Sequence, residues 1–152
     1  MKTLSVIYWS GTGNTAAMAE AVAEGAKSAG ADVALLEVSQ ATPDDVKNVQ
    51  AVAFGCPAMG AEVLEEAEFE PYFQSVEPLL SGKAVALFGS YGWGDGQWMR
   101  EWFERAENDG ANLCGSEAVS YTHLRRGGRE KCQLKLRLPA TLTAARLPCL
   151  TL

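Results

Sequence analysis

Thr3-Leu4-Ser5-Val6-Ile7-Tyr8-Trp9, followed directly by Ser10-Gly11-Thr12-Gly13-Asn14-Thr15, is the stretch that decides how this chain is read. The first part is rich in β-branched and aromatic side chains and reads as a strand. The second part supplies three hydroxyls, a carboxamide and two glycines. It runs into an Ala-rich helical pattern, Thr15–Ala29, with Gly30 as its stop. A strand–loop–helix unit of this content can surround a phosphate with N–H and hydroxyl donors, helped by the partial positive charge of the helix N-terminus. The loop holds no Lys or Arg, so neutral dipoles alone would bind the anion.

Beyond this unit the alternation continues. Asp32–Val38 reads as a second strand, and Thr42-Pro43-Asp44-Asp45 as a helix start with Thr42 as N-cap and Pro43 at the first helical position. Gln50–Cys56 is a nearly all-apolar third strand, as a strand covered on both faces should be. Phe69–Leu80 predicts a short helix broken near Pro78, and Lys83–Gly89 a fourth strand. Gly96–Asn108 predicts a helix with Trp98, Trp102 and Phe103 on one side; Trp98 and Trp102, at i and i+4, read as core. Asn112–Val119 reads as a fifth strand. Strands alternating with helices over short links imply an α/β, doubly wound parallel sheet. Its ligand is expected beyond the carboxyl ends of the strands, where the loops 10–15, 56–65 and 90–96 converge.

The chain has 152 residues, 47% of them hydrophobic and 21% charged, which suits one globular domain. No apolar run is long enough for a membrane span and no basic-then-apolar leader opens the chain, so a cytoplasmic protein is expected. Cys56, Cys114, Cys132 and Cys149 lie far apart without C-x-x-C spacing and read as reduced thiols. Residues 1–120 carry six basic and eighteen acidic side chains, whereas residues 121–152 carry seven basic and one acidic. The acidic part argues against nucleic-acid binding and suits steered docking to positively charged partners. The end of the chain breaks the pattern: an amphipathic helix is expected there. Instead stand a basic turn, Arg125-Arg126-Gly127-Gly128-Arg129, a strand-like Gln133–Leu138, and two prolines, Pro139 and Pro148. Residues 1–119 are therefore expected to form the domain. Residues 120–152 read as sequence foreign to the fold, such as a frame-shifted end, or else as a basic tail for an anionic partner.

Rival phosphate loops fit poorly. The nucleoside-triphosphate loop needs a lysine that is missing, and the dinucleotide pattern G-x-G-x-x-G meets Ala16 at its third glycine, though Glu37 could serve as its ribose acid. A terminal phosphate monoester, with three free oxygens, suits Ser10, Thr12, Asn14 and Thr15. The second loop is Cys56-Pro57-Ala58-Met59-Gly60-Ala61-Glu62 and the third Ser90-Tyr91-Gly92-Trp93-Gly94-Asp95-Gly96. Trp93, flanked by glycines, reads as a ligand platform, and Met59 as a polarisable side chain facing it. Together they could sandwich a flat ring whose phosphate lies in the first loop. His123, the only histidine, lies in the anomalous end, and no Ser–His–Asp set or metal-ligand cluster appears.

These three loops resemble the flavodoxins, specifically the short-chain clostridial type, over residues 3 to about 119. The likeness is nearly letter for letter at Ala58-Met59-Gly60, at Glu62-Val63-Leu64-Glu65-Glu66, and from Gly89 to Gly96. The resemblance implies a five-stranded parallel sheet of order 2-1-3-4-5, here with its final helix missing or replaced, and non-covalent FMN at the strand-order switch. It implies a cofactor-binding set of Ser10, Gly11, Thr12, Gly13, Asn14, Thr15, Ala58, Met59, Gly60, Glu62, Ser90, Tyr91, Gly92, Trp93 and Gly94. Ser10, Thr12–Thr15 and Ser90 would hold the phosphate, and Ala58 would line the ribityl chain. Met59 and Trp93 would cover the inner and outer ring faces. Glu62 would accept the flavin N3 hydrogen, Gly94 N–H would serve the pyrimidine oxygen, and the Gly60 carbonyl would face N5. Pro57 departs from relatives with a hydroxyl there and is left out of the phosphate set.

The function so implied is a low-potential one-electron carrier, expected to be a monomer, that cycles between semiquinone and hydroquinone and docks reductases and low-potential acceptors on its acidic flavin edge. Glycine at the second position of Met59-Gly60-Ala61-Glu62 suits a type II′ turn, and Ala61 disfavours type II, which is expected to favour the semiquinone. Glu62, Glu65, Glu66 and Asp95, each at ~10 Å in water-like screening, would oppose the anionic hydroquinone by about 0.4 kcal/mol apiece. The alternative is an FMN-dependent quinone or nitro reductase on the same fold, whose substrate pocket a stacked Trp93 would block.

Overall fold

The computed structural model describes residues 2–92 and 94–114. Expectations for Trp93, for the strand beyond Cys114, for His123, Cys132 and Cys149, for the final helix and for the 120–152 segment lie outside the described residues. The elements are β1 (Thr3–Tyr8), α1 (Asn14–Ser28), β2 (Asp32–Glu37), α2 (Pro43–Lys47), β3 (Ala51–Gly55), α3 (Phe69–Val76), β4 (Ala84–Phe88), α4 (Gln97–Asn108) and β5 (Asn112–Leu113). The strands form one parallel sheet of order β2-β1-β3-β4-β5. The order reverses between β1 and β3, where open sheets of this kind bind their ligands.

Boundaries differ from the sequence reading where side-chain chemistry is local. The second strand stops at Glu37 because Val38–Gln40 turns as a 3-10 helix. The third helix ends at Val76 and passes into a 3-10 turn, Glu77–Leu79, with Pro78 inside it. At α2 the Thr42 N–H and hydroxyl both donate to Asp45 Oδ2 at 2.7 Å, completing a capping box.

Period-two alternation sends successive strand residues to opposite faces. Val6, Ala53, Ala86 and Phe88 join Met18, Ala19, Val22 and Ala23 of α1 on one face. Ile7, Val52, Phe54, Val85 and Leu87 face α3 and α4 on the other. There an aromatic block forms: Phe54 meets Phe73 edge-on at 5.2 Å between centroids, and Trp102 meets Phe69 and Phe73 edge-on at 5.4 and 5.6 Å. Trp98 and Trp102 are each 2% exposed, which makes them core as the helical spacing predicts. Arg105 on α4 ties the block shut. It pairs with Glu70 at 2.8 Å and with Glu77, and its guanidinium lies 5.1 Å from the Phe73 centroid. Among the described residues no helix is long and apolar enough to cross a membrane.

Arg105→Ala leaves two half-buried carboxylates facing each other without a cation. Urea unfolding should show a loss of about 2–3 kcal/mol; a loss under about 0.5 kcal/mol would mark the pair as an ordinary surface bridge.

Candidate functional site

The loops after β1, β3 and β4 start level with one another, because Tyr8 pairs with Gly55 and Gly55 with Phe88 in the ladder. In the first loop Gly13 N–H donates to Ser10 Oγ at 3.1 Å. Gly13 is the N-cap of α1, in the left-handed region with φ 94°, and no side chain caps the helix. Gly11, Thr12 and Gly13 are exposed, Ser10 and Asn14 half-buried, and Thr15 buried. Hydroxyls and amide donors therefore line an open end of the helix dipole, a donor set that fits a phosphate.

Ser90 joins the three loops. Its hydroxyl and Thr15 Oγ1 are 3.1 Å apart in a buried pair, and its carbonyl accepts the Ala58 N–H at 3.0 Å. Within the second loop Met59 and Val63 exchange backbone hydrogen bonds of 2.9 and 3.1 Å across a tight turn. Gly60 sits at φ 33°, and Glu62, at φ 57°, is the one non-glycine residue with positive φ among those described. Such strain in a non-glycine residue persists only where the surroundings hold it. Here the hold is visible: Glu62 Oε1 accepts the N–H groups of Asp95 at 2.9 Å and Gly96 at 3.1 Å. Gly94 makes this approach possible. At φ 95° it suits glycine, and a Cβ there would collide with the Glu62 carboxylate. Loops two and three are thus latched at the start of α4.

Glu65 holds the far end of the second loop. It is 7% exposed, and its carboxylate accepts the N–H groups of Ala67 at 2.8 Å and of Glu68 and Phe69, each at 2.9 Å. Burial pushes its carboxyl up, but the amides of Phe69, Glu68 and Ala67 outweigh this and hold it below the ordinary value. The stability it brings is complete above a carboxyl's usual range and is lost as pH falls through the lowered value. Its own N–H donates to Cys56 Sγ at 3.3 Å. Burial pushes the Cys56 thiol up to about 12; the Glu65 amide opposes this weakly, and the charges of Glu65 and Glu70 add to it.

The geometry brings Thr15, Ala58 and Ser90 together, ties Ser10 to Gly13 within the first loop, and joins Glu62 to the Asp95–Gly96 amides. Met59 is half-buried beside the turn, and Gly92 is exposed. Tyr91 leans against Trp98 with centroids 6.1 Å apart, so part of its ring belongs to the core side of the loop. The expectation of four free carboxylates needs refinement. Glu65 is buried and bonded to three amides, half-buried Glu62 is bonded to two, and Asp95 pairs with Arg100 at 3.0 Å. Sequence reading missed Glu65 as an anchor; the available signal was an acid four residues ahead of Phe69, the first apolar residue of a helical run. No cluster able to hold a metal occurs among the described residues.

A parallel α/β sheet with a lysine-free, hydroxyl-rich loop and two latched loops at its strand-order switch places the protein in the doubly wound class, whose ligands lie at that switch. Residues 6–136 match the Flavodoxin family model. The chain is 47% identical over 117 residues to the flavodoxin of Megasphaera elsdenii, covering 77% of this chain and 85% of that one. It is 51% identical over 107 residues to the flavodoxin of Clostridium beijerinckii, covering 70% and 78%. The solution structure of two-electron reduced Megasphaera elsdenii flavodoxin superposes with a TM-score of 0.72, covering 76% of this chain and 85% of that one. The chain belongs to the flavodoxin family.

Cys56 should resist thiol reagents in the folded protein between pH 7 and 9 and react only on unfolding. The raised thiol favours the folded state less as the unfolded thiol ionises, so stability should also fall as pH rises from about 9 towards 12. Fast labelling of Cys56 under native conditions would contradict both statements.

Proposed function

We infer that the protein is a flavodoxin in function as well as in family: an electron carrier that binds FMN and exchanges electrons with redox partner proteins. The observation that supports this reading is the convergence of the three loops on Ser90, which brings Thr15 of loop one beside Ala58 at the start of loop two's turn. FMN, when bound, supplies the chemistry by storing one or two electrons. The close relatives are named flavodoxins, carriers and not enzymes, which leaves the quinone or nitro reductase reading without support of equal weight.

The assignment of residues is our reading. Ser10, Thr12, Gly13, Asn14, Thr15 and Ser90 bind the phosphate, with Gly11 completing the cofactor loop and the α1 N-terminus adding its dipole. Ala58 lines the ribityl chain, and Met59 and Trp93 cover the two ring faces, with Tyr91 and Gly92 completing the outer loop. The second Glu62 oxygen serves flavin N3, while the first keeps the Asp95 and Gly96 amides in place. The amide of Gly94 serves the pyrimidine oxygen. Gly60, at φ 33°, carries no Cβ to hinder rotation of its peptide, so its carbonyl can be offered towards N5. Exposed acids near these loops lower the potential of the second electron and favour docking of basic partner surfaces. We further propose a monomeric, cytoplasmic protein whose FMN-binding unit is residues 1–119, although the family match continues to residue 136. Residues 120–152 are read as foreign to that unit.

Two experiments test this. Titration of the apoprotein with FMN should give one saturable site, and the holoprotein alone should oxidise NAD(P)H at a negligible rate; steady turnover without a reductase would favour the enzyme reading. Ala61→Gly should narrow the gap between the two one-electron potentials by making a type II turn accessible, and an unchanged gap would sink the role assigned to the Gly60-Ala61 pair.

A further inference from the structure

The Met59–Val63 turn touches the cofactor on this reading; besides its own two-bond bridge and the Glu62 latch, it is held from its two ends. Its near end is fixed by Ala58 N–H to the Ser90 carbonyl at 3.0 Å. Its far end continues through Leu64, 7% exposed in the core, to Glu65. There four bonds gather in one place. The Glu65 carboxylate takes the amides of Ala67, Glu68 and Phe69, and its carbonyl takes the Glu70 amide at 2.8 Å. The Glu65 N–H reaches Cys56 at 3.3 Å, which closes residues 56–65 into a loop sealed at its base. Phe69, wholly buried, anchors the other side of that base in the aromatic block.

We propose that Glu65 is a positioning residue for flavin binding and redox tuning: by gathering the amides of Ala67, Glu68 and Phe69 that lead into α3 it fixes the base of the 56–65 loop, and so the height at which the Met59–Val63 turn meets the ring. Its effect is carried by hydrogen bonds, not by its field. Charge-assisted bonds to backbone amides are among the stronger neutralising contacts in proteins, and three of them converge here. Glu66, adjacent and exposed, carries the same formal charge and provides a natural control.

The inference rests on FMN binding at this site, and the experiment separates the two. FMN affinity and both one-electron potentials are measured for the full chain and for Glu65→Gln, Glu65→Asp, Glu66→Gln and Asp45→Ala, at low and high salt. Glu65→Gln should weaken FMN binding about tenfold and change the separation of the two potentials, with both effects persisting at high salt. Glu65→Asp, which keeps the charge but shortens its reach, should shift both in the same direction; it also serves if the Gln variant fails to fold. Glu66→Gln should move only the second potential, and high salt should erase that shift. Asp45→Ala, which breaks the α2 capping box, should lower melting temperature without touching affinity or potentials. Affinity within twofold for both Glu65 variants, or shifts that salt abolishes, would overturn the proposal. Failure of the unaltered chain to bind FMN would overturn the cofactor reading with it.

Discussion

Everything at the site depends on Ser90. Parallel pairing sets β1, β3 and β4 side by side, but it leaves the loops that follow them free to diverge. The buried pair between Thr15 and Ser90 hydroxyls crosses from the first loop to the third over seventy-five positions of sequence. The Ser90 carbonyl then takes the Ala58 amide, bringing in the second. A serine is suited to this place: it is small enough for a 8% exposed position, and its hydroxyl can donate or accept. Because the pair is shielded from water, loss of either hydroxyl would leave the other without its buried partner. The first loop and the turn of loop two are therefore one constellation, not two neighbours.

The sheet was legible because its strands are short apolar runs with opposite-face alternation, and because Gly, Pro and Thr punctuate them. Thr42, Pro43 and Asp45 announced α2 in full. The hydroxyl-rich loop 10–15 could be singled out as a candidate phosphate site for the same local reason, since its donors are contiguous. The acids were not. Glu62, Glu65 and Asp95 look alike in sequence, as solvated charges near a cofactor loop. Their partners are the amides of Asp95 and Gly96, the amides opening α3, and Arg100. For Glu62 those partners lie more than thirty positions away, beyond any periodicity or capping rule. Composition could count the charges but not discount the ones already satisfied by backbone dipoles.

The aromatic block under loops two and three explains why so much of α3 and α4 is devoted to large rings. Phe54 meets Phe73 edge-on, Trp102 meets Phe69 and Phe73 edge-on, and Phe69 and Phe73 stack, arrangements favoured by the ring quadrupole. Arg105, clamped between Glu70 and Glu77 over Phe73, holds α4 against α3. Trp98 extends the block to Tyr91 at the third loop. Loops two and three thus stand on a common rigid floor, and their latch through Glu62 joins them above it.

A floor, a clasp and a latch leave the Gly60 peptide free to change without breaking any of them. The Ala58 amide is committed to Ser90, residues 65–70 to the start of α3, and residues 94–96 to Glu62. Between these fixed points lies Met59–Val63, closed by a single two-bond bridge and containing both Gly60 and the strained Glu62. A peptide rotation at Gly60 keeps that bridge, because its bonds belong to Met59 and Val63. The free energy of such a rotation is then set locally, by the turn preferences of Gly60 and Ala61, while the surrounding fold contributes the same to both arrangements. A carrier that must respond to one electron needs this separation between a rigid frame and a single movable peptide, since motion spread over the frame would add reorganisation to every transfer.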